Sequence, residues 1–191
     1  MMRKIFLLLI LFPLFLYKAQ ERILPLDSTL EDSIKLGDYL KDLHNDYIPF
    51  IGTWKAAFDD KIILIKIIKV SKRPERIGFR EKEVNYFEDT LILQHKITDK
   101  NGKVIENYLH PNPNISKIIS QGFNKKRKIA YFFYSGVACS VGLGGIDLEI
   151  INSKHMIWNY FPQETFTNRC PKGTDITIYL PETKDLIFTK Q

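Results

Sequence analysis

The sequence lacks the short motifs that mark most enzymes and cofactor-binding proteins. It holds only two cysteines in 191 residues and no CxxC, HExxH, GxSxG or GxGxxG pattern. The usual signatures of zinc-binding, serine-hydrolase and dinucleotide-binding proteins are therefore absent. Internal repeats are also missing, while 45% of the residues are hydrophobic, enough to form the core of one domain. We therefore expect a non-enzymatic protein with no catalytic residue, no metal site and no cofactor; a hydrolase is an alternative without a supporting signature.

Long apolar runs are absent except at the N-terminus. Arg3 and Lys4 precede an apolar run at positions 5–16, which Lys18 ends. A membrane-spanning helix needs about 20 apolar residues, whereas a basic start followed by a shorter apolar core is typical of a secretory signal peptide. We therefore predict a signal peptide over residues 1–19, no transmembrane span in the mature chain, and an exported protein that is periplasmic or extracellular.

Loss of the signal peptide changes how the charge and the two cysteines are interpreted. The formal charge falls from +6 to +3, because residues 1–19 contain three bases and no acid. Without those bases, the composition gives little reason to expect a nucleic-acid partner. In an oxidising compartment Cys139 and Cys170 are predicted to form a structural disulfide. The disulfide would close a loop of about 32 residues, which by the chain-entropy relation adds roughly 3–4 kcal/mol to the free energy of unfolding.

The mature chain contains many strand signals and few helical ones. Residues 20–48 are expected to form a lead-in arm, and residues 49–191 a single β-domain. Short β-branched segments there are separated by turn signals about every 8–12 residues, such as Asn101-Gly102, the strongest short hairpin signal. This spacing predicts an all-β fold, an antiparallel barrel or sandwich of about nine or ten strands. Within it, residues 71–76 are expected to be a loop and residues 174–180 a strand.

The first strand of the β-domain begins with Gly52-Thr53-Trp54. This triplet resembles the Gly-x-Trp of lipocalin-type barrels, in which the Trp packs across the closed end of the barrel. The resemblance also implies a late Arg that covers the Trp, and Arg169 is the candidate here. A Trp at the start of a strand buries a large area, so we expect Trp54 to seal one end of the core.

Aromatic residues on two later strands are expected to face the interior. A wide barrel would use them to line a cavity for an apolar ligand, whereas a narrow barrel would be filled by them, which is the outcome we expect. The ligand-binding candidates are therefore Trp54, Tyr131, Phe133, Trp158 and Tyr160.

Two further features have an ordinary structural interpretation. The basic run at residues 125–128 lies between two predicted strands, so we expect a solvated hairpin tip, and contact with an anionic envelope surface is the alternative. The histidines are scattered without the spacing of metal ligands; they are His44, His95, His110 and His155.

Three stretches are similar to an uncharacterised domain-of-unknown-function family of small secreted flavobacterial proteins. They are residues 47–55 (YIPFIGTWK), 139–142 (CSVG) and 178–190 (IYLPETKDLIFTK). The resemblance covers nearly the entire mature chain and is most specific at its C-terminal end. It implies a bacterial exported protein with a lipocalin-like sheet, and it implies no activity, catalytic residue or ligand.

Two functions from different classes fit these observations. The leading hypothesis is an exported barrel that binds a small apolar ligand or a component of the cell envelope. The alternative is a protein–protein interaction or inhibitor module that acts through exposed loops at residues 71–76 and 121–128. A well-formed apolar cavity of roughly 300 Å³ or more would favour the first hypothesis, and a filled barrel with an exposed apolar patch would favour the second.

Overall fold

The computed structural model describes residues 21–78, 82–164 and 170–191. The predicted signal peptide and Arg169 lie outside the described residues. Within these ranges the chain forms strands and short 3-10 turns but no α-helix, and no helix there has the length and apolar character needed to cross a membrane. The strands are β1 (Ile23–Pro25), β2 (Tyr39–Lys41), β3 (Gly52–Phe58), β4 (Lys61–Ile77), β5 (Val84–Asp99), β6 (Val104–Asn107), β7 (Ile118–Asn124), β8 (Ile129–Tyr134), β9 (Gly144–Ile150), β10 (His155–Pro162) and β11 (Leu186–Lys190).

Eight of these strands close into one antiparallel barrel. Around the barrel the order is β5–β4–β3–β11–β10–β9–β8–β7, and β7 pairs back with β5. Three strands lie outside the barrel. β2 pairs with β5 in parallel, β1 pairs with β2 in parallel, and β6 pairs with β5 in antiparallel fashion. The prediction of an all-β antiparallel barrel of about nine or ten strands is therefore confirmed.

The turn signals in the sequence produce the expected hairpins. Asp59 and Asp60 both have positive φ angles, 47° and 58°, and they join β3 to β4 as the two central residues of a tight turn. Gly102, with a φ of 86°, lies in the turn between β5 and β6. Such φ angles match the right-handed twist of the flanking strands, so these short turns determine the register of both hairpins.

Two local predictions are wrong. Residues 71–76 are not a loop, because β4 runs through them to Ile77: the register shifts between Val70 and Arg73 as a bulge, and pairing with β5 then resumes. Residues 174–180 form no strand. There the Asp175 carboxylate accepts hydrogen bonds from the Thr177 backbone N–H (2.9 Å) and the Tyr179 hydroxyl (2.8 Å), and such local bonds compete with strand pairing.

Large aromatic side chains fill the barrel interior. Trp54 and Trp158 are fully buried, and each satisfies its indole N–H: Trp54 donates to the Phe50 carbonyl at 2.8 Å, and Trp158 to the Pro181 carbonyl at 3.0 Å. The rings of Trp158 and Phe188 lie 5.6 Å apart. The segment before β3, which contains Phe50, and the segment before β11, which contains Pro181, are thereby hydrogen-bonded to tryptophans of the core.

A buried charge cluster ties the arm to the barrel. Lys69 on β4 places its Nζ 2.9 Å from an Asp42 carboxylate oxygen and 3.1 Å from one of Asp89. Asp42 belongs to the arm and also accepts from the backbone N–H of Asp46 at 2.8 Å. Tyr39 on β2 donates to Asp89. The cluster therefore joins the arm to both long strands, β4 and β5.

The contact between β5 and β7, here called the seam, is short. Only Ile92 and Leu93 of β5 pair with Ile119 and Ile118 of β7. On one side of the seam β5 pairs with β6, and on the other side with β2. The barrel wall is thus interrupted on each side of the seam, and a recess lies at each interruption.

Candidate functional site

Three of the predicted ligand-binding aromatics lie in the interior. Trp54, Trp158 and Tyr160 are buried in the main hydrophobic core, and the Tyr160 hydroxyl donates to the Gly142 carbonyl. Lys190 places its Nζ 5.0 Å above the Trp54 ring, a cation–π contact in which a late basic residue covers the Trp. These side chains occupy the interior, and a ligand role for them stays a prediction.

The other two candidates do not face inward as expected. On β8 the inward positions are Ala130, Phe132 and Tyr134, which are buried, whereas Phe133 is 40% exposed and Tyr131 is half-buried. Successive side chains of a strand point to opposite faces, and the expectation placed the wrong alternate set inside. The inward orientation predicted for Tyr131 and Phe133 is therefore corrected.

The predicted disulfide is present. Cys139 and Cys170 are bonded, with their Cα atoms 5.8 Å apart. Cys139 belongs to a 3-10 turn between β8 and β9, and Cys170 to the segment between β10 and β11. The bond therefore ties the long connection before β11 to the turn between β8 and β9.

An apolar recess lies beside the seam, between β6 and β7. We call it the His95 recess; its volume is about 230 Å³. The segment between β6 and β7 forms its outer wall, and Gln94 holds that segment by donating to the His110 carbonyl at 2.9 Å. The aromatic, histidine and apolar side chains that line it include His95, Tyr108, His110, Ile115, Ile118 and Tyr134.

His95 is the polar group at the bottom of this recess. It pairs across the sheet with Ile65, a core residue, so its side chain faces the interior, and it is only 2% exposed. Its Nε2 lies 2.8 Å from a Glu106 carboxylate oxygen, whereas Nδ1 has no hydrogen-bond partner among the described residues. Because a carboxylate can only accept, Nε2 carries a proton, and in the neutral ring Nδ1 presents a lone pair.

Two tyrosines surround the His95 ring. The Tyr108 ring centroid lies 5.1 Å from it and that of Tyr134 lies 6.4 Å away. Burial raises the pKa of Tyr134 above its ordinary value, and the nearby Glu106 raises it further. Both rings therefore remain neutral and present aromatic surface to whatever enters the recess.

The recess does not hold an assembled nucleophile. Ser116 lines it, but the Ser116 hydroxyl donates to the Leu93 carbonyl at 2.6 Å and accepts from the Ile118 backbone N–H at 3.3 Å. A serine nucleophile needs its hydroxyl proton directed at a base. The Ser116 hydroxyl is therefore not directed at His95.

One group of side chains has the spacing of metal ligands. Asp27, His44 and Asp46 bring their ligand atoms within 4.8 Å of one another. Lys125 already pairs with both carboxylates, since its Nζ lies 3.3 Å from Asp27 and 3.1 Å from Asp46. The basic run at residues 125–128 is the exposed turn between β7 and β8, and Lys125 extends from it to the arm.

The comparisons with known proteins place the chain in a family. A model of a family of unknown function, DUF6705, matches residues 1–141. The chain belongs to this family. The matched residues contain His95, Glu106, Tyr108 and Tyr134, while β9 to β11 lie beyond them. No curated protein and no solved structure matches the chain.

Proposed function

We propose that this protein is a non-enzymatic binding barrel whose His95 recess takes a small, largely apolar molecule carrying one hydroxyl group. The observation that carries the proposal is the buried, unpartnered Nδ1 of His95 inside an apolar-lined recess. A buried polar atom without a partner costs about 1–3 kcal/mol. A ligand hydroxyl that donates to Nδ1 recovers that cost on binding.

The size of the recess selects the class of ligand. At about 230 Å³ it falls short of the roughly 300 Å³ expected above for a ligand cavity, which is the lower end of the 300–1,000 Å³ of sites that enclose drug-sized molecules. A single ring with short substituents suits this volume, and the Ile115 and Ile118 side chains supply apolar contacts. Tyr108 is partly exposed above the His95 ring, so it stacks on a planar ligand at the mouth. We therefore choose phenols and small cyclic alcohols as the ligand class.

The binding test compares two ligands that differ only at the hydrogen-bond donor. Titration of the folded protein with p-cresol and with 4-methylanisole, followed by calorimetry and by tyrosine and histidine NMR signals, measures both affinities. Loss of one hydrogen bond is worth roughly 1.4 kcal/mol, so we expect p-cresol to bind about tenfold more tightly. Equal affinities, or no binding of p-cresol at millimolar concentration, would contradict the proposal.

Variants assign the preference to one atom. His95→Phe keeps a ring at this position but removes Nδ1, so the two ligands should then bind equally. His155→Phe is the matched control, because His155 lies on β10 outside the recess and should keep the tenfold preference. A preference that survives in His95→Phe would exclude Nδ1 as the acceptor.

We further propose that the protein acts outside the cytoplasm as a lipocalin-like carrier. The basic and apolar N-terminus, the Cys139–Cys170 disulfide and the basic residue above Trp54 support this. The interaction-module alternative has less support, because residues 71–76 belong to β4. Expression with the native N-terminus in a Gram-negative host should yield a periplasmic or extracellular protein whose mass lacks residues 1–19. A full-length product retained in the cytoplasm would refute export.

A further inference from the structure

A second recess lies on the other side of the seam and has the opposite chemical character. We call it the arm recess; it has a volume of about 280 Å³ and lies between the arm, the first half of β5 and the second half of β7. Carboxylates from three parts of the chain line it: Glu31 from the arm, Glu75 from β4 and Glu88 from β5. Apolar side chains, among them Leu40 and Phe123, complete the wall.

Glu88 is a half-buried carboxylate of this recess. Glu75 pairs with Arg73, which lies opposite Glu88 in the β4–β5 register, and Arg76 pairs with Glu83 at 3.1 Å. Glu88 itself forms no ion pair with a described residue and accepts from the Tyr86 hydroxyl at 3.0 Å. Burial raises the pKa of Glu88 to about 7, and the neighbouring Glu75 carboxylate contributes to the rise. A buried carboxylate of this kind is stabilised by any cation that reaches it.

Tyr47 supplies an independent indication of a ligand. Its side chain lines the arm recess and is 1% exposed, and its hydroxyl forms no well-aligned hydrogen bond with a described residue. Burial raises the pKa of Tyr47, the neighbouring Ser120 hydroxyl lowers it, and the charge of Glu88 raises it, so the hydroxyl lies within electrostatic reach of that carboxylate. The recess thus presents one unpaired acid and one unpaired hydroxyl, both able to accept a hydrogen bond.

We propose that the arm recess binds a primary alkylammonium group, which donates one hydrogen bond to Glu88 and one to the Tyr47 hydroxyl while its alkyl part contacts the apolar wall. A divalent metal fits less well. It needs several oxygen ligands around one point, and among the described residues only Asp27, His44 and Asp46 bring three such atoms within 4.8 Å of one another. An ammonium ion needs only two or three separated acceptors.

Binding of this ligand should depend on pH. The charged and titratable groups around Glu88 are Glu31 from the arm, Arg73, Glu75 and Arg76 from β4, and Tyr86 and Asp89 from its own strand. Arg73 lowers the pKa of Glu88, whereas Glu75 and Asp89 raise it. With a pKa of about 7, Glu88 is ionised in about 3% of molecules at pH 5.5 and about 90% at pH 8, while an alkylammonium stays charged throughout. Affinity scales with the binding-competent fraction, so it should rise about 30-fold over this range.

Calorimetric titration of the full mature protein with n-butylammonium chloride tests the proposal. We expect binding at pH 8 that weakens about 30-fold at pH 5.5, and weaker binding of tetramethylammonium, which cannot donate a hydrogen bond. Equal binding of both cations, tighter binding of Ca²⁺, or no binding of n-butylammonium at 10 mM would each overturn the proposal.

Substitutions distinguish this site from the general charge of the surface. Glu88→Gln should lose at least tenfold in affinity together with the pH dependence, and Tyr47→Phe should lose several-fold with folding intact. Glu182→Gln, which changes an exposed carboxylate outside the recess, is the matched control and should change neither. His95→Phe should leave n-butylammonium binding unchanged, so the two sites succeed or fail separately. Loss of binding in Glu182→Gln would show a surface effect and refute the site.

Discussion

Replacement of Lys69 by Met would leave two buried carboxylates side by side without a counter-ion. The Asp42 and Asp89 side chains are 2% and 1% exposed, and both lie within 3.1 Å of the Lys69 ammonium. Removing one partner of a buried ion pair costs about 3–5 kcal/mol. Since the Lys69 side chain itself keeps 19% exposure, water reaches the cluster, and we expect the lower end, about 3 kcal/mol.

The variant should also change the pH dependence of stability. Burial alone would raise the pKa of Asp89, but hydrogen bonds from Tyr39 and Lys69 outweigh burial and lower it. A lowered pKa in the folded state gives stability that is present above the unfolded pKa of about 3.9 and is lost as the pH falls through the folded value. Without Lys69 one of these hydrogen bonds is lost and the neighbouring Asp42 carboxylate is no longer balanced, so the pKa of Asp89 should rise. Relative to the unsubstituted protein, the variant should therefore be destabilised less at pH 5 than at pH 7.

Urea unfolding followed by tryptophan fluorescence at pH 7 and pH 5 measures both effects. Lys66→Met is the matched control, because Lys66 lies on the same strand but is exposed, and exposed substitutions change stability by about 0.5 kcal/mol or less. A loss of under 1 kcal/mol in Lys69→Met at pH 7, or the same loss in Lys66→Met, would refute the view that this cluster anchors the arm.

Two other predictions concern the covalent and backbone constraints. Replacement of Cys139 and Cys170 by Ala should lower the free energy of unfolding by about 3–4 kcal/mol, because the bond joins residues 31 apart; an unchanged unfolding midpoint, with free thiols absent in the parent, would contradict this. Gly144→Ala should destabilise by about 1–3 kcal/mol, since a Cβ there would lie 2.2 Å from a carbonyl oxygen of the opposite strand. Gly145→Ala, where a Cβ meets open space, should change the urea midpoint little, and equal losses in both variants would exclude the steric explanation.

The barrel was predictable from the sequence because its strands are mostly local hairpins. Turn residues such as Gly102 mark each reversal, and β-branched runs lie between them. The parts that could not be predicted depend on longer-range effects. The bulge after Val70 lets β4 continue through a segment that contains Pro74, and a bulge has no turn-like signal. Likewise, the alternation in β8 separates Tyr131 from Phe132 but does not say which of the two faces is inside.

The site residues were harder to find than the fold for a related reason. His95 lies in a stretch of β5 whose side chains are buried on both faces, from Asp89 to His95, so no alternation marks its inward direction. The hairpin at Gly102 does predict that the strand holding His95 pairs with the strand holding Glu106. Glu106 pairs with Ile97, two residues from His95 on the same face of β5, so the acid reaches the histidine diagonally across the hairpin. An acid and a histidine on the same face of a predicted hairpin were therefore the available signal for this pair.

The two recesses have a common structural origin in β5. This strand changes partner along its length, from β2 through β7 to β6, and a strand with three successive partners leaves a gap in the wall at each change. Among the described residues, two buried side-chain atoms have no hydrogen-bond partner, the Tyr47 hydroxyl and His95 Nδ1, and one lies at each gap. Folded proteins satisfy nearly all buried polar atoms. Because each of the two exceptions lines a recess, they are the observations on which the two proposed binding sites depend.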